Sequence, residues 1–143
     1  AVEALVALLV PVSTVVTPNT HEAEVLTGKK ILSVDDARDA ARQIVDMGAH
    51  AAVVKGGHLH GPATDIFFDG TEFRAFTAPR ITTTSTHGTG CTLASAIAAG
   101  IAKGLSVRDS VSEAKKYVTA AIRSSFPIGK GHGPLNHFHT FWQ

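Results

Sequence analysis

Thr86-His87-Gly88-Thr89-Gly90-Cys91, followed without a break by Thr92-Leu93-Ala94-Ser95-Ala96-Ile97-Ala98-Ala99-Gly100, is the stretch on which the reading of this chain turns. Two glycines at i and i+2 free the backbone to turn tightly and to bring consecutive N–H groups close to a ligand. The small-residue run predicts a helix from Cys91 to Lys103, ended by Gly104. Its alanines, Ser95 and Gly100 predict close packing on a sheet. The start of such a helix offers unpaired N–H groups and the positive end of the helix dipole. Together these features make an anion hole, suited to a phosphate. Cys91, the single cysteine, falls in the first helical turn, where the thiolate is favoured. The plain alternative for Cys91 is a small buried hydrophobe. An anion hole with a base at its rim points to phosphoryl transfer.

Working outward, the rest of the chain alternates strand and helix signals. Val2 to Val10 reads as a helix end stopped by Pro11, buried and followed by a β-branched strand, Ser13 to Thr17, closed by Pro18. Asn19 to Leu26 is a short helix ending near Gly28. Ser33 caps a longer one, with Asp36 at N3, Ala37, Ala40, Ala41, Ile44 and Val45 on one face, and Gly48 at its end. Ala51 to Lys55 is an uninterrupted apolar run, as expected of a parallel strand covered on both faces, and Gly56-Gly57 breaks it. Asp65 to Phe68 and Glu72 to Phe76 flank Asp69-Gly70-Thr71, a hairpin signal. Ser106, with Asp109 at N3, caps a last helix running to about Phe126. The tail from Gly129 to Gln143 is rich in Gly and His and has no period. The pattern predicts an α/β fold with a mostly parallel sheet and one hairpin, in a single domain over residues 1–143.

Composition narrows the function classes. The 143 residues are 44% hydrophobic, and 13 basic against 12 acidic residues leave a net charge of +1. That balance argues against nucleic acid or a membrane surface held by bulk charge. One cysteine permits no internal disulfide and fits a reducing, cytoplasmic setting. Ala1 to Val16 is apolar but carries Glu3 and Pro11, short of a membrane span, and lacks the positive start of a signal peptide.

Two other places have chemistry in view. Asn19 and Glu22, three apart at a helix start, form a capping box that needs no ligand, or a carboxylate offered to a metal; spacing alone leaves both open. Glu24 reads as a solvated helix residue. Lys55 closes an apolar strand, where a lysine either reaches water or sets a charge on a ligand at the sheet's carboxyl edge. The pairs His58-x-His60 and His137-x-His139 invite zinc, but no cysteine stands at ligand spacing and no His-Glu-x-x-His helix occurs, so they read as surface or loop histidines.

The block from Thr86 to Leu93 resembles the anion-hole signature of the ribokinase-like small-molecule kinases. Its Gly-Cys-Thr-Leu ending, where many relatives have Gly-Asp, resembles the hydroxymethylpyrimidine/phosphomethylpyrimidine kinases of thiamine biosynthesis. Thr17-Pro18-Asn19-Thr20-His21-Glu22-Ala23-Glu24, Val53-Val54-Lys55-Gly56-Gly57-His58, Asp65-Ile66-Phe67-Phe68-Asp69-Gly70 and Gly131-His132-Gly133-Pro134-Leu135-Asn136-His137-Phe138 follow in that family's order. Ser85 stands where the resemblance would place Asn or Asp. The resemblance implies the C-terminal half of a three-layer α/β/α kinase fold, with the N-terminal half absent from this chain. It implies ATP and Mg²⁺ as cofactors and a small-molecule substrate, the hydroxymethyl group of hydroxymethylpyrimidine and then its monophosphate. Gly88, Thr89, Gly90 and Cys91 would serve the transferred phosphoryl, with Cys91 as base. Lys55, Gly57, Thr86 and His87 would bind nucleotide, and Glu22 with Asn19 would organise the metal. Pyridoxal kinase-type activity and a catalytically incompetent nucleotide-binding half-domain are the alternatives. Exposed sheet edges on such a half would favour a homo-oligomer, or union with the missing half.

Overall fold

The computed structural model describes residues 1–57 and 59–141; His58, and with it the His58-x-His60 pair, lies outside the described residues. The chain divides into two compact units, Ala1–Pro79 and Arg80–Gln143.

The first unit opens with a helical segment of changing pitch: α1 (Val2–Ala4), a π turn over Leu5–Leu9 and a 3₁₀ turn over Val10–Val12. Pro11 therefore does not stop the helix as expected. It occupies the first turn of the 3₁₀ segment, where a missing N–H and a fixed φ cost nothing. Nor is the segment buried throughout: Val10 is, whereas Leu8, Leu9 and Val12 are exposed.

Helix α2 (Thr20–Thr27) is capped by Asn19 and ends at Gly28, whose φ of 71° suits glycine. Helix α3 (Val34–Asp46) begins at Ser33, as expected. The Asp36 N–H donates to Ser33 Oγ at 3.1 Å, and Asp36 Oδ2 accepts from the Ser33 and Leu32 N–H groups at 2.9 and 3.0 Å. The Ser33 hydroxyl, donating to Asp36 Oδ2 at 2.8 Å, and then these amides hold the Asp36 carboxyl below its ordinary value. A lowered folded value means the contribution to stability is present above the ordinary aspartate range and is lost as pH falls through the lowered value. Asp36→Asn is therefore expected to lower Tm at neutral pH, with the gap from the parent chain closing in strong acid; thermal melts of both across that range check it.

Strands β1 (Ala52–Lys55), β2 (Ala63–Phe68) and β3 (Phe73–Ala78) form one sheet in the order β1-β2-β3, antiparallel throughout, with Ala52 opposite Phe68 and Phe68 opposite Phe73. This corrects the mostly parallel sheet expected from sequence. The run from Ala51 to Val54 is fully buried, as read, but burial does not distinguish the two pairings. Here the chain after Gly57 turns back and lays β2 against β1. In this unit, parallel pairing among the described residues lies on the other edge of β1. There Val16 N–H donates to Ala51, and the N–H groups of Val53 and Lys55 donate to the carbonyls of Val16 and Pro18, at 2.8–3.0 Å. Ser13 to Thr17 is thus no strand of its own but supplies one parallel bridge, Val16 to Ala52. The hairpin falls where expected: Asp69 Oδ1 accepts from the Thr71 and Glu72 N–H groups at 2.9 Å, and Gly70 takes a φ of 89°. Helix α3 packs on β1 and β2 around Ala40, Ile44, Val54, Ile66 and Phe68. Burial of each large side chain there stabilises the unit by about 1.5–3 kcal/mol.

The second unit holds α4 (Thr89–Ala102), α5 (Val107–Arg123) and the tail, with α4 packed on α5. Gly100 serves that pairing: a Cβ there would stand 2.7 Å from Ser110 Oγ on α5. Ser106 caps α5 through the Asp109 N–H at 3.0 Å. No helix of the described residues is long and apolar enough to cross a membrane.

Candidate functional site

The sequence-selected residues fall into two clusters, one within each unit. In the first unit, Pro18 and Asn19 run parallel to the end of β1, so that Asn19 bridges Lys55. Asn19 then starts α2. Its Oδ1 accepts from the Glu22 N–H at 2.8 Å, and Glu22 Oε2 accepts from the Asn19 N–H at 2.6 Å. The capping box is thus formed, and it aims the Glu22 carboxylate back over the end of β1. Lys55 Nζ lies 3.9 Å from Glu22 Oε2, with 19% of the lysine side chain exposed against 58% for the glutamate. Cap and ligand roles are compatible, because one oxygen serves the cap and the half-exposed carboxylate has a second to offer. Asn19, Glu22 and Lys55 therefore form one cluster at the carboxyl edge of β1, as Lys55's place on the strand implied.

The glycine pair after Lys55 divides its duties. A Cβ on Gly56 would stand 1.9 Å from the Thr64 carbonyl oxygen, so only glycine lets this backbone cross β2. A Cβ on Gly57 would meet nothing within 4 Å, which leaves open approach at the turn. The sequence reading missed Asp65. Its buried carboxylate accepts from the Gly56 N–H at 3.1 Å and so fixes the turn that carries Lys55. The signal was present: a lone carboxylate opening the apolar run Asp65-Ile66-Phe67-Phe68. Glu24 is corrected too. Rather than solvated, it accepts from the Ile31 N–H and from Lys30 Nζ, both at 2.9 Å, and ties the α2–α3 connection; the Ile31 amide, then Lys30, holds its carboxyl below the usual value.

In the second unit, α4 starts two residues earlier than expected, with Gly88 as its cap at φ 83°. No side chain caps this helix, unlike α2, α3 and α5, which use Asn19, Ser33 and Ser106. The loop is shaped instead by Thr86, whose carbonyl accepts from Thr89 Oγ1 at 2.7 Å and from the Thr89 N–H at 3.3 Å. His87 pairs through its backbone with the tail, donating its N–H to the Gly133 carbonyl at 3.1 Å. Cys91 stands at N3 and is exposed, which removes the buried-hydrophobe alternative.

The histidine pair that is described does other work. Tyr117 Oη donates to the His137 carbonyl at 3.1 Å, and His139 Nδ1 donates to the Asn136 carbonyl at 3.0 Å. Among the described residues no group of three or more His, Cys, Asp or Glu side chains is gathered to hold a metal ion.

Solved structures of ribokinase-like α/β kinases match the fold of this chain. The Staphylococcus aureus pyridoxal kinase in complex with AMP-PCP and pyridoxal matches 99% of this chain at a TM-score of 0.95 and 36% identity, over 54% of its own length. The phosphomethylpyrimidine kinase of Clostridium difficile 630 matches 84% at a TM-score of 0.71 and 37% identity, over 48% of its length. The family model for phosphomethylpyrimidine kinase matches residues 1–136, and the chain belongs to that family. The hydroxymethylpyrimidine/phosphomethylpyrimidine kinase of Rhizobium meliloti is 50% identical over 149 aligned residues, covering 100% of this chain and 55% of the relative. The chain spans about half the length of the curated relatives it matches and corresponds to their C-terminal part.

Proposed function

We propose that this chain supplies the nucleotide- and phosphoryl-handling side of an ATP-dependent kinase. The kinase would phosphorylate hydroxymethylpyrimidine, and then its monophosphate, in the cytoplasm for thiamine biosynthesis. One observation carries the reading. Unlike α2, α3 and α5, α4 opens on a left-handed glycine without a side-chain cap, and it presents an exposed thiol in its first turn. An uncapped helix start is where an anion is best held.

The residues then take these roles. The turn from Gly88 to Cys91 directs its N–H groups and the helix dipole at the transferred phosphoryl, with Thr86 and His87 framing the nucleotide side. Lys55 sets a point charge against the phosphates, and Gly57 lets them approach the backbone. Cys91 Sγ takes the proton of the substrate hydroxyl as that oxygen bonds phosphorus and the bond to ADP breaks. Glu22, oriented by Asn19, fits Mg²⁺, an ion that takes few carboxylates and keeps its waters. When bound, that ion neutralises charge on the phosphates of ATP.

Pyridoxal kinase-type activity is the second reading, favoured by the higher TM-score of the Staphylococcus aureus pyridoxal kinase, 0.95 against 0.71. The 50% identity to the Rhizobium meliloti pyrimidine kinase, against 36%, puts the pyrimidine first.

Glu22→Gln tests the metal role, since Gln at N3 preserves the capping box and removes the charge. The expected outcome is a nearly unchanged Tm with a weakened Mg²⁺ dependence of AMP-PCP binding, measured by calorimetric titration with and without the ion. A lower Tm with unaltered Mg²⁺ dependence would leave the cap as the whole role of Glu22.

A further inference from the structure

The Gly/His-rich tail has no period and, among its described residues, no group of side chains gathered to hold a metal ion, yet its backbone runs directly beside the anion-hole loop. Helix α5 ends at Arg123, and the chain returns through Leu135, which is buried, and Asn136. Asn136 donates its backbone N–H to the Ala121 carbonyl at 3.1 Å and its Nδ2 to the Ser124 carbonyl at 3.2 Å. The tail is therefore fastened to the end of α5 on one side.

On its other side it holds the loop. The His87 N–H donates to the Gly133 carbonyl, His87 bridges Pro134 in parallel register, and His132 Nδ1 donates to the Thr84 carbonyl at 3.3 Å. Between these contacts sits Ser85, 1% exposed, with its Oγ donating to the Phe126 carbonyl at 3.4 Å. Gly133 is buried against it: a Cβ on Gly133 would stand 2.6 Å from Ser85 Oγ and 3.3 Å from Ser85 Cβ. No positive φ demands glycine at 133; only the closeness of Ser85 does.

We infer that the tail from Gly131 to Asn136 is a positioning strap, with Ser85 and Gly133 as its interlocking pair. By fixing Ser85 to His87 it sets where Gly88 to Gly90 present their N–H groups. Neither Ser85 nor Gly133 touches the phosphoryl; both act through the loop. The inference rests on the anion-binding reading of that loop. It also gives Ser85 a role distinct from the Asn or Asp expected there: a short side chain is what allows Gly133 to close over it.

The test is Gly133→Ala, alone and combined with Ser85→Gly, which removes the two closest atoms the new Cβ would meet and leaves Ser85 Cα at an ordinary 3.5 Å. In the 143-residue chain, AMP-PCP binding with Mg²⁺ is measured by calorimetry, and amide exchange at His87 to Gly90 by NMR. A displaced loop is expected to weaken AMP-PCP binding about tenfold, which is about 1.4 kcal/mol of binding free energy. Exchange at the His87 amide should accelerate, Tm should move little, and the double variant should recover both binding and protection. Unchanged binding and unchanged His87 exchange in Gly133→Ala would overturn the strap. So would a fall in Tm with binding per folded molecule intact. If the parent chain fails to bind AMP-PCP, the nucleotide reading fails instead, and His87 exchange in the two variants still decides whether the strap holds the loop.

Discussion

In this chain joined to the N-terminal part of a relative, Cys91→Ala is expected to leave AMP-PCP binding and Tm near those of the parent enzyme while lowering phosphoryl transfer by about 10²–10⁴-fold, the usual loss when a general base is removed. The side chain is exposed at N3 of α4, so its removal leaves no cavity, and alanine is a good helix former. The N–H groups of the turn, and with them the proposed hold on phosphate, belong to the backbone and survive the change. Because the transition state of phosphoryl transfer is loose, positioning keeps a residual rate and the loss is not total. Cys91→Asp is the informative companion. A carboxylate stands at this place in the Gly-Asp variant of the motif, and it is expected to restore transfer well above the alanine level. Alkylation of Cys91 should be slowed by ATP·Mg²⁺. A Cys91→Ala variant that transfers at the parent rate would remove the base assignment.

The larger effect concerns division of labour. Residues 1–136 match the family, and the match covers 55% of the Rhizobium meliloti relative. We propose that the pyrimidine is held chiefly by the N-terminal part of such relatives. Phosphoryl transfer draws most of its rate from holding the two reactants in line; well-oriented intramolecular reactions reach effective molarities of about 10⁵–10⁸ M. With the nucleotide side alone, that factor is forfeited. The 143 residues by themselves are expected to bind ATP·Mg²⁺ modestly and to transfer almost nothing to the pyrimidine.

How much of this was legible in the sequence follows from the range of the forces involved. Asn19 with Glu22, Ser33 with Asp36, and Asp69-Gly70-Thr71 act over three or four residues, and each appears where its local chemistry put it. The tight glycine turn opening α4 was legible for the same reason, although the helix begins at Thr89, two residues before the expected Cys91, with Gly88 as its cap. Sheet pairing was not, because Ala51 to Val54 is buried whichever way its neighbours run, and the direction of β2 is set by the turn after Lys55. Pro11 misled because the same ring that breaks a helix interior is at ease in the first turn of a 3₁₀ segment. The partners of Glu24, Asp65 and Ser85 lie 6–7, 9 and 41 residues away along the chain, and only Asp65, a lone carboxylate opening an apolar run, carries a local sign of its role.

The most direct measurement joins this chain to the N-terminal part of the Rhizobium meliloti kinase and follows ADP release with hydroxymethylpyrimidine, or pyridoxal, as acceptor, beside the 143 residues alone. The expected result is Mg²⁺-dependent transfer by the joined enzyme, faster to the pyrimidine than to pyridoxal and lowered about 10²–10⁴-fold by Cys91→Ala, with nucleotide binding but negligible transfer by the chain alone. Robust turnover by the 143 residues alone would place the substrate site within them, and a joined, folded enzyme that neither binds nucleotide nor transfers would contradict the assignment of Gly88 to Cys91 as the phosphoryl site.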